Sequence, residues 1–358
     1  MRILHAMASD GFAGVERHVA RLARAQHDAG HAVHVLGGAP GPMLAELRPT
    51  GSGPTYSPAT TTGALVRALV QHRQLADVLH VHMTAAEVAA TVAFAGRPRT
   101  AIPVVVSTRH FARRRGHGLT GPLVTRVARH RVDRQLAVSR HVAAHVDGEA
   151  TVVLPGIDDR PDPPPSAARD RTVLVAQRLQ PEKRTDLALE AFVASGVAAA
   201  GWRLDVAGDG ASSDGLERHA ARLGLEPGTH VRFLGARTDV VDLMQTAGIL
   251  LAPCPVEGLG LSVLEAMASR LPVVAFPAGG HLELLDGVAA VCLPPSGDVA
   301  GMARSLAALA SDDALRDTVA DAALARQRQH CTPAAQVAQT TAVYEQALRH
   351  APLTEVLP

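Results

Sequence analysis

Short apolar runs with strand character recur along this chain, and each gives way to a turn and then to helical periodicity. Ile3 and Leu4 lead through Ser9-Asp10-Gly11-Phe12-Ala13-Gly14 into a helix that places Val15, Val19, Leu22 and Ala23 on one face. That helix stops at Gly30, and Ala32-Val33-His34-Val35-Leu36 is the next strand. The same order returns at Val78-Leu79-His80-Val81-His82, at Pro103-Val104-Val105-Val106-Ser107 and at Gln135-Leu136-Ala137-Val138. Strands alternating with helices must cross over between parallel neighbours, so the pattern predicts parallel sheets covered by helices. The glycine- and proline-rich stretch from Pro40 to Thr62 reads as a loop.

A chain of 358 residues is too long for one core of this kind. Four prolines fall within Asp159-Arg160-Pro161-Asp162-Pro163-Pro164-Pro165-Ser166, which cannot be a helix interior and reads as a semi-rigid spacer. The expected organisation is a Rossmann-like first domain over 1–160, a spacer over 161–168 and a second Rossmann-like domain over 169–332. A C-terminal helix over 333–358 is expected to cross back to the first domain.

The second half holds the densest signal. The strand Gly248-Ile249-Leu250-Leu251-Ala252 breaks at Pro253 and Pro255, passes Gly258 and Gly260, and resumes as helix at Leu261-Ser262-Val263-Leu264-Glu265. A glycine loop opening a helix lets backbone N–H groups approach an anion, and the helix dipole favours the charge. Glu257 and Glu265 bracket that loop. The competing reading is a buried helix start with two solvated glutamates.

Charge is divided unevenly. Residues 1–160 carry 19 arginines against 11 acids, whereas residues 161–358 carry 16 basic residues against 23 acids, so an anionic partner for the first half is expected. Of the 35 basic residues only Lys183 is a lysine, and a compact ammonium in a chain that otherwise uses arginine marks a site that wants it. Aromatics at 3% leave few stacking platforms, which argues against nucleic acid. Cys254, Cys292 and Cys331 are odd in number and lack metal or disulfide spacing, so reduced core thiols are expected. His80 and His82 alternate in one strand without a third ligand nearby and read as structural. Without a signal-type leader or an 18-residue apolar run, the expected location is cytoplasmic, or peripheral at the inner face of a membrane.

The glutamate pair, together with Ala13-Gly14-Val15-Glu16-Arg17-His18-Val19 and the turn Gln177-Arg178-Leu179-Gln180-Pro181-Glu182-Lys183-Arg184, resembles the family 4 retaining glycosyltransferases. The resemblance implies the two-domain glycosyltransferase-B fold, with two parallel-sheet domains facing a central cleft. It implies transfer of a hexose-type sugar from a nucleoside diphosphate donor, UDP- or GDP-linked, to an acceptor hydroxyl with retained configuration. Arg178 and Lys183 would hold the diphosphate and stabilise the leaving charge, Glu257 would contact donor-sugar hydroxyls, and Glu265 would meet the ribose. His110 matches the histidine beside the sugar ring. Gly14, Gly208, Arg237, Gly258, Leu259, Gly260, Leu261 and Ser262 complete the expected donor site. Glu16 and the run Arg113, Arg114, Arg115 are the acceptor candidates, the run suiting an anionic or lipid-linked acceptor or a membrane surface.

No Asp-x-Asp triplet occurs, so cationic side chains are expected to replace a metal, and no cofactor is expected. Front-face attack, with a donor phosphate oxygen taking the acceptor proton, is favoured over double displacement through Glu257. Family members usually have glycine where Gln177, Arg184 and Arg270 stand. A sugar-nucleotide 2-epimerase-like isomerase and a catalytically silent nucleotide-sugar-binding subunit are the competing functions.

Overall fold

The alternation of strands and helices is realised as two parallel sheets in the computed structural model, which describes all residues except 50, 73, 117–120, 161–163 and 351–358. Two units divide the chain, one formed by Met1–Gly156 with Cys331–Pro358 and the other by Ile157–His330.

The first unit runs β1 (Arg2–Ala6), α1 (Gly14–Asp28), β2 (Ala32–Leu36), α2 (Pro40–Leu47), β3 (Thr55–Ser57), α3 (Thr62–His72) and β4 (Val78–His82). It continues with α4 (Met83–Ala93), β5 (Val104–Arg109), α5 (Gly121–Arg129), β6 (Arg134–Ala137), α6 (Arg140–His145) and β7 (Thr151–Val152). Among the described residues its sheet has the order β3-β2-β1-β4-β5-β6-β7, parallel throughout. Strands buried on both faces explain the near-continuous apolar runs. Ile3, Val33, Val35, Val78, Val104 and Val106 pack toward α1, while Leu4, Ala6, Leu36, Leu79, Val81 and Val105 pack with residues of α3 and α4. The serine expected to open α6 does so: Ser139 Oγ accepts from the Val142 N–H at 3.0 Å.

The segment read as a loop over Pro40–Thr62 contains α2 and the edge strand β3. Pro40 stands at the helix start, where a missing N–H costs nothing, and Met43 and Leu47, four apart, are both buried. Two buried side chains suffice to fold eight residues, and their signal is swamped by the surrounding glycines and prolines.

The second unit runs β8 (Thr172–Ala176), α7 (Thr185–Ser195), β9 (Arg203–Ala207), α8 (Ser213–Arg222), β10 (Val231–Gly235), α9 (Val240–Thr246) and β11 (Ile249–Ala252). It ends with α10 (Leu261–Ala268), β12 (Val273–Ala275), α11 (Gly280–Leu285), α12 (Val299–Ser311) and α13 (Asp313–His330). Its sheet order is β10-β9-β8-β11-β12. The stretch expected as a spacer over 161–168 is docked on this unit wherever it is described: the Ser166 N–H donates to Asp317 Oδ1 at 3.0 Å, and Arg169 donates to the carbonyls of Met244, Ala247 and Ser269 at 2.7–3.0 Å. Buried carbonyls at two helix ends need donors, and one guanidinium supplies several.

The last helix, α14 (Pro333–His350), returns to the first unit. Tyr344 is fully buried there, and its hydroxyl meets Gln26 of α1 at 3.2 Å and His80 of β4 at 2.6 Å. In both sheets the winding reverses between two adjacent strands, β1 and β4 in one and β8 and β11 in the other. Open parallel sheets place ligands beyond the carboxyl ends of strands at such switch points.

Candidate active site

In the second unit the switch point is flanked by the loops that follow β8 and β11. Lys183 and Glu257, 74 positions apart, meet there with Nζ 2.5 Å from Oε2, their side chains 15% and 21% exposed. Glu257 Oε1 also accepts from the Gly258 N–H at 3.2 Å. Arg178 extends outward with 57% of its side chain exposed, its nearest acidic partner being Glu182 at 3.8 Å. The Cys254 thiol, pushed up by burial and so kept protonated, lies 3.2 Å from the Val256 carbonyl and 3.5 Å from that of Glu182, between the two loops.

Gln177 spans the turn after β8. Its amide donates to the Lys183 carbonyl at 3.0 Å and to Thr185 Oγ1 at 2.9 Å. Arg184 retains the left-handed backbone that a glycine would adopt, with φ 50° and ψ 45°, and its guanidinium pairs with Asp186 at 2.8 Å. Gly208 and Gly210 are needed because a Cβ would stand 1.9 Å from the Gln177 carbonyl oxygen and 2.3 Å from that of Leu179. This packing brings the turn after β9 against the one that carries Arg178. Arg237, beyond β10, is engaged with Asp239.

The loop after β11 is shaped from below. Gly260 has φ +97°, and a Cβ on it would lie 2.5 Å from the His281 ring. Gly280 lies against the Leu259 backbone, and its N–H donates to the Glu257 carbonyl at 3.0 Å. His281 is buried and lowered by that burial, so a neutral ring, bonded to the Phe276 carbonyl at 3.2 Å, props the loop. Ser262 Oγ donates to the Ala176 carbonyl at the end of β8 at 2.6 Å, fixing the start of α10, and Leu259 and Glu265 are buried. The backbone of Gly258, Gly260 and Leu261 therefore forms a fixed helix entrance beside Lys183. His281 carried no signal in the sequence beyond its place after two glycines.

In the first unit, Gly14 opens α1 beyond β1, and His110 follows β5. His110 Nε2 lies 3.2 Å from His82 Nδ1, and the His18 ring meets it edge-on at 4.9 Å. His5, His80 and His82 bring ring nitrogens within 4.8 Å of one another, a convergence not foreseen because His5 lies on another strand. Each of their nitrogens has a side-chain partner: Gln26 and His82 for His5, Tyr344 and Thr108 for His80, His5 and His110 for His82.

Two acceptor candidates have other work. Glu16 is buried, and its carboxylate accepts from the Ala13 N–H at 2.9 Å and from Ser9 Oγ at 2.6 Å, so it caps α1 and closes the loop before it. Arg115 is fully buried, donating to both Glu87 oxygens at 2.5 and 2.6 Å, to Asp147 at 2.6 Å and to Gln135 at 2.7 Å. With Ser107 also donating to Glu87, this is an internal ion network that holds the Arg115 guanidinium inside the unit. Arg113 lies over the Phe111 ring at 5.5 Å. Arg114 lines a cavity of about 740 Å³ with Arg126, Arg129, His130 and Asp147, a recess in which arginines outnumber the one carboxylate.

Two parallel sheets with loops of this kind at their switch points have the architecture of the GT-B fold. Residues 12–160 match the family model described as Glycosyltransferase Family 4, and residues 170–312 match that of Glycosyl transferases group 1. The chain is 31% identical over 173 residues to a lipopolysaccharide core biosynthesis mannosyltransferase, LpsB, of Rhizobium meliloti, a match spanning 44% of this chain and about half (49%) of that protein. The corresponding LpcC of Rhizobium leguminosarum bv. viciae is 27% identical over 267 residues, 70% of this chain and 74% of that protein. Among solved structures, Anabaena Alr3699/HepE in complex with UDP and glucose superposes with a TM-score of 0.76 at 19% identity, covering 97% of this chain and 100% of that one. The chain belongs to glycosyltransferase family 4.

Proposed function

We propose that the protein transfers a hexose from a nucleoside diphosphate donor to an acceptor hydroxyl with retained configuration and without a metal. The observation that carries this reading is the meeting of Lys183 and Glu257 beside the Gly258–Leu261 helix entrance. A donor diphosphate placed there receives backbone N–H groups, the Lys183 ammonium and the exposed Arg178 guanidinium. All three are aimed at the oxygens that gain charge as the glycosidic bond breaks. Glu257, released from part of its pairing by the incoming phosphate, turns to the sugar hydroxyls. The buried Glu265 on α10 is assigned to the ribose. Retention then follows from attack on the leaving-group face, with a phosphate oxygen taking the acceptor proton.

Relatives named as mannosyltransferases and a structural neighbour holding UDP and glucose support a nucleotide-sugar donor. For the acceptor, the recess lined by Arg114, Arg126 and Arg129 supports an anionic group, a phosphate or a lipid headgroup. No helix among the described residues is long and apolar enough to cross a membrane.

The test is transfer in excess EDTA from UDP- and GDP-hexoses to a panel of phosphorylated and neutral acceptors, with the product's anomeric configuration read by proton coupling. Undiminished transfer with retention supports the reading. An inverted product or an absolute need for a divalent ion removes it. Isomerised donor without acceptor would favour the epimerase.

A further inference from the structure

The first unit contains a line of side chains joined end to end by hydrogen bonds. Gln26 of α1 places its amide nitrogen 3.2 Å from the Tyr344 hydroxyl and its amide oxygen 2.7 Å from His5 Nε2. His5 Nδ1 is 3.1 Å from His82 Nε2, and His82 Nδ1 is 3.2 Å from His110 Nε2. All these groups lie on the α1 and α14 side of the sheet, where β1 and β4 run in register with His5 beside His80. A branch runs from the Tyr344 hydroxyl to His80 Nδ1 at 2.6 Å, and from His80 Nε2 to Thr108 Oγ1 at 2.6 Å.

A neutral imidazole has one N–H and one lone pair. In a line of such rings each bond uses the donor of one and the acceptor of the next, so choosing the proton on one ring chooses it on all. The amide oxygen of Gln26 can only accept. His5 must therefore carry its proton on Nε2, His82 must donate from Nε2 to His5, and His110 must donate from Nε2 to His82. What remains on His110 is an unprotonated Nδ1, which has no side-chain partner among the described residues.

We propose that Gln26, through His5 and His82, sets the tautomer of His110 so that its Nδ1 is presented as a hydrogen-bond acceptor. Gln26 is then a positioning residue for the donor-sugar site. This rests on the assignment of His110 to that site, but the tautomer is fixed whether or not sugar binds there. Burial keeps the line neutral: His5 is lowered to about 4, and His82 and His110 well below the usual imidazole range. The amide is held in turn by Tyr344, so the C-terminal helix reaches the site through Gln26.

The test is nitrogen NMR of the full chain labelled with ¹⁵N-histidine, with signals assigned by single His→Asn variants. Bound and unbound ring nitrogens are read from their one-bond couplings and from the downfield shift of the unprotonated nitrogen. The expected result is protonation at Nε2 of His5, His82 and His110 in the wild type. Gln26→Leu should move all three toward a mixture of tautomers and lower kcat by about tenfold, the low end for loss of an orienting partner. Gln26→Glu should restore the Nε2 form and most of kcat, since an ionised carboxylate accepts there and a protonated one still offers its carbonyl oxygen. A proton on His110 Nδ1 in the wild type overturns the proposal even if Gln26→Leu fails to fold. So does an unchanged His110 in folded Gln26→Leu, or a stoichiometric divalent ion found on these rings in the purified protein. The predicted tautomer in a protein without transferase activity would instead leave this inference standing and remove the proposed function.

Discussion

At the scale of single residues, two arginines adopt the left-handed backbone that glycine takes most readily. Arg184 has φ 50° and Arg270 φ 51°. The left-handed conformation costs an L-residue about 1–2 kcal/mol, so at each position glycine should be more stable than alanine by about 1 kcal/mol. The native arginines differ in what they recover. Arg184 pairs with Asp186 in the open, which is worth little. Arg270 donates to Asp321 at 2.5 Å and to Asp317 at 3.0 Å from a side chain only 15% exposed. Urea unfolding should rank Arg184→Gly at or above wild type, whereas Arg270→Gly should fall below it; the reverse order at Arg270 would mean that its ion pairs do not offset the strain. The glycine positions were readable as departures from a pattern, but the partners of Arg270 were not, since nothing local links it to α13.

At the scale of elements, α10 and its preceding loop depend on one glycine. In Gly260→Ala the new Cβ meets the His281 ring at φ +97°, so a loss of about 2 kcal/mol is expected together with weakened donor binding. Calorimetry on the variant checks both; native stability and affinity would mean that the ring moves aside freely. The strand–glycine–helix order of this element was legible because it is local and periodic. The roles of Glu16 and Arg115 were not. A glutamate three residues into a helix can cap or bind, and an arginine in a run of three can be solvated or buried. Only Ser9 and Ala13 around the one, and Glu87 and Asp147 around the other, decide, and the last two lie 28 and 32 positions from Arg115. The histidines show the same limit: His80 lies 264 positions from the tyrosine that orients it.

At the scale of the whole molecule, the alternation of strands and helices was sufficient to predict two parallel sheets, because each crossover repeats one local pattern. The cost of the imidazole cluster appears only when the unit is assembled. In the unfolded chain each histidine takes up a proton near pH 6.5, whereas the folded chain holds His5 neutral to about 4 and His18 to about 3. The unfolded state therefore binds more protons in this window, and stability is lost as pH falls from about 6.5 toward 4. The loss reaches about 1.4 kcal/mol per pH unit for each such histidine. Urea midpoints followed by the signals of Tyr56 and Tyr344, both in the unit that buries His5 and His18, should drop steeply between pH 7 and 5; flat midpoints would contradict neutral burial.

In the proposed donor site Lys183, Arg178 and the α10 entrance hold the diphosphate without a metal. Isothermal titration of UDP, GDP, ADP and TDP in EDTA, against wild type and Lys183→Ala, tests it most directly. One diphosphate should bind the wild type, and the same one should bind Lys183→Ala about 100-fold more weakly, the loss expected for a buried charge-assisted contact to a phosphate. Equal binding to both proteins, or binding that appears only when magnesium is restored, would contradict the account.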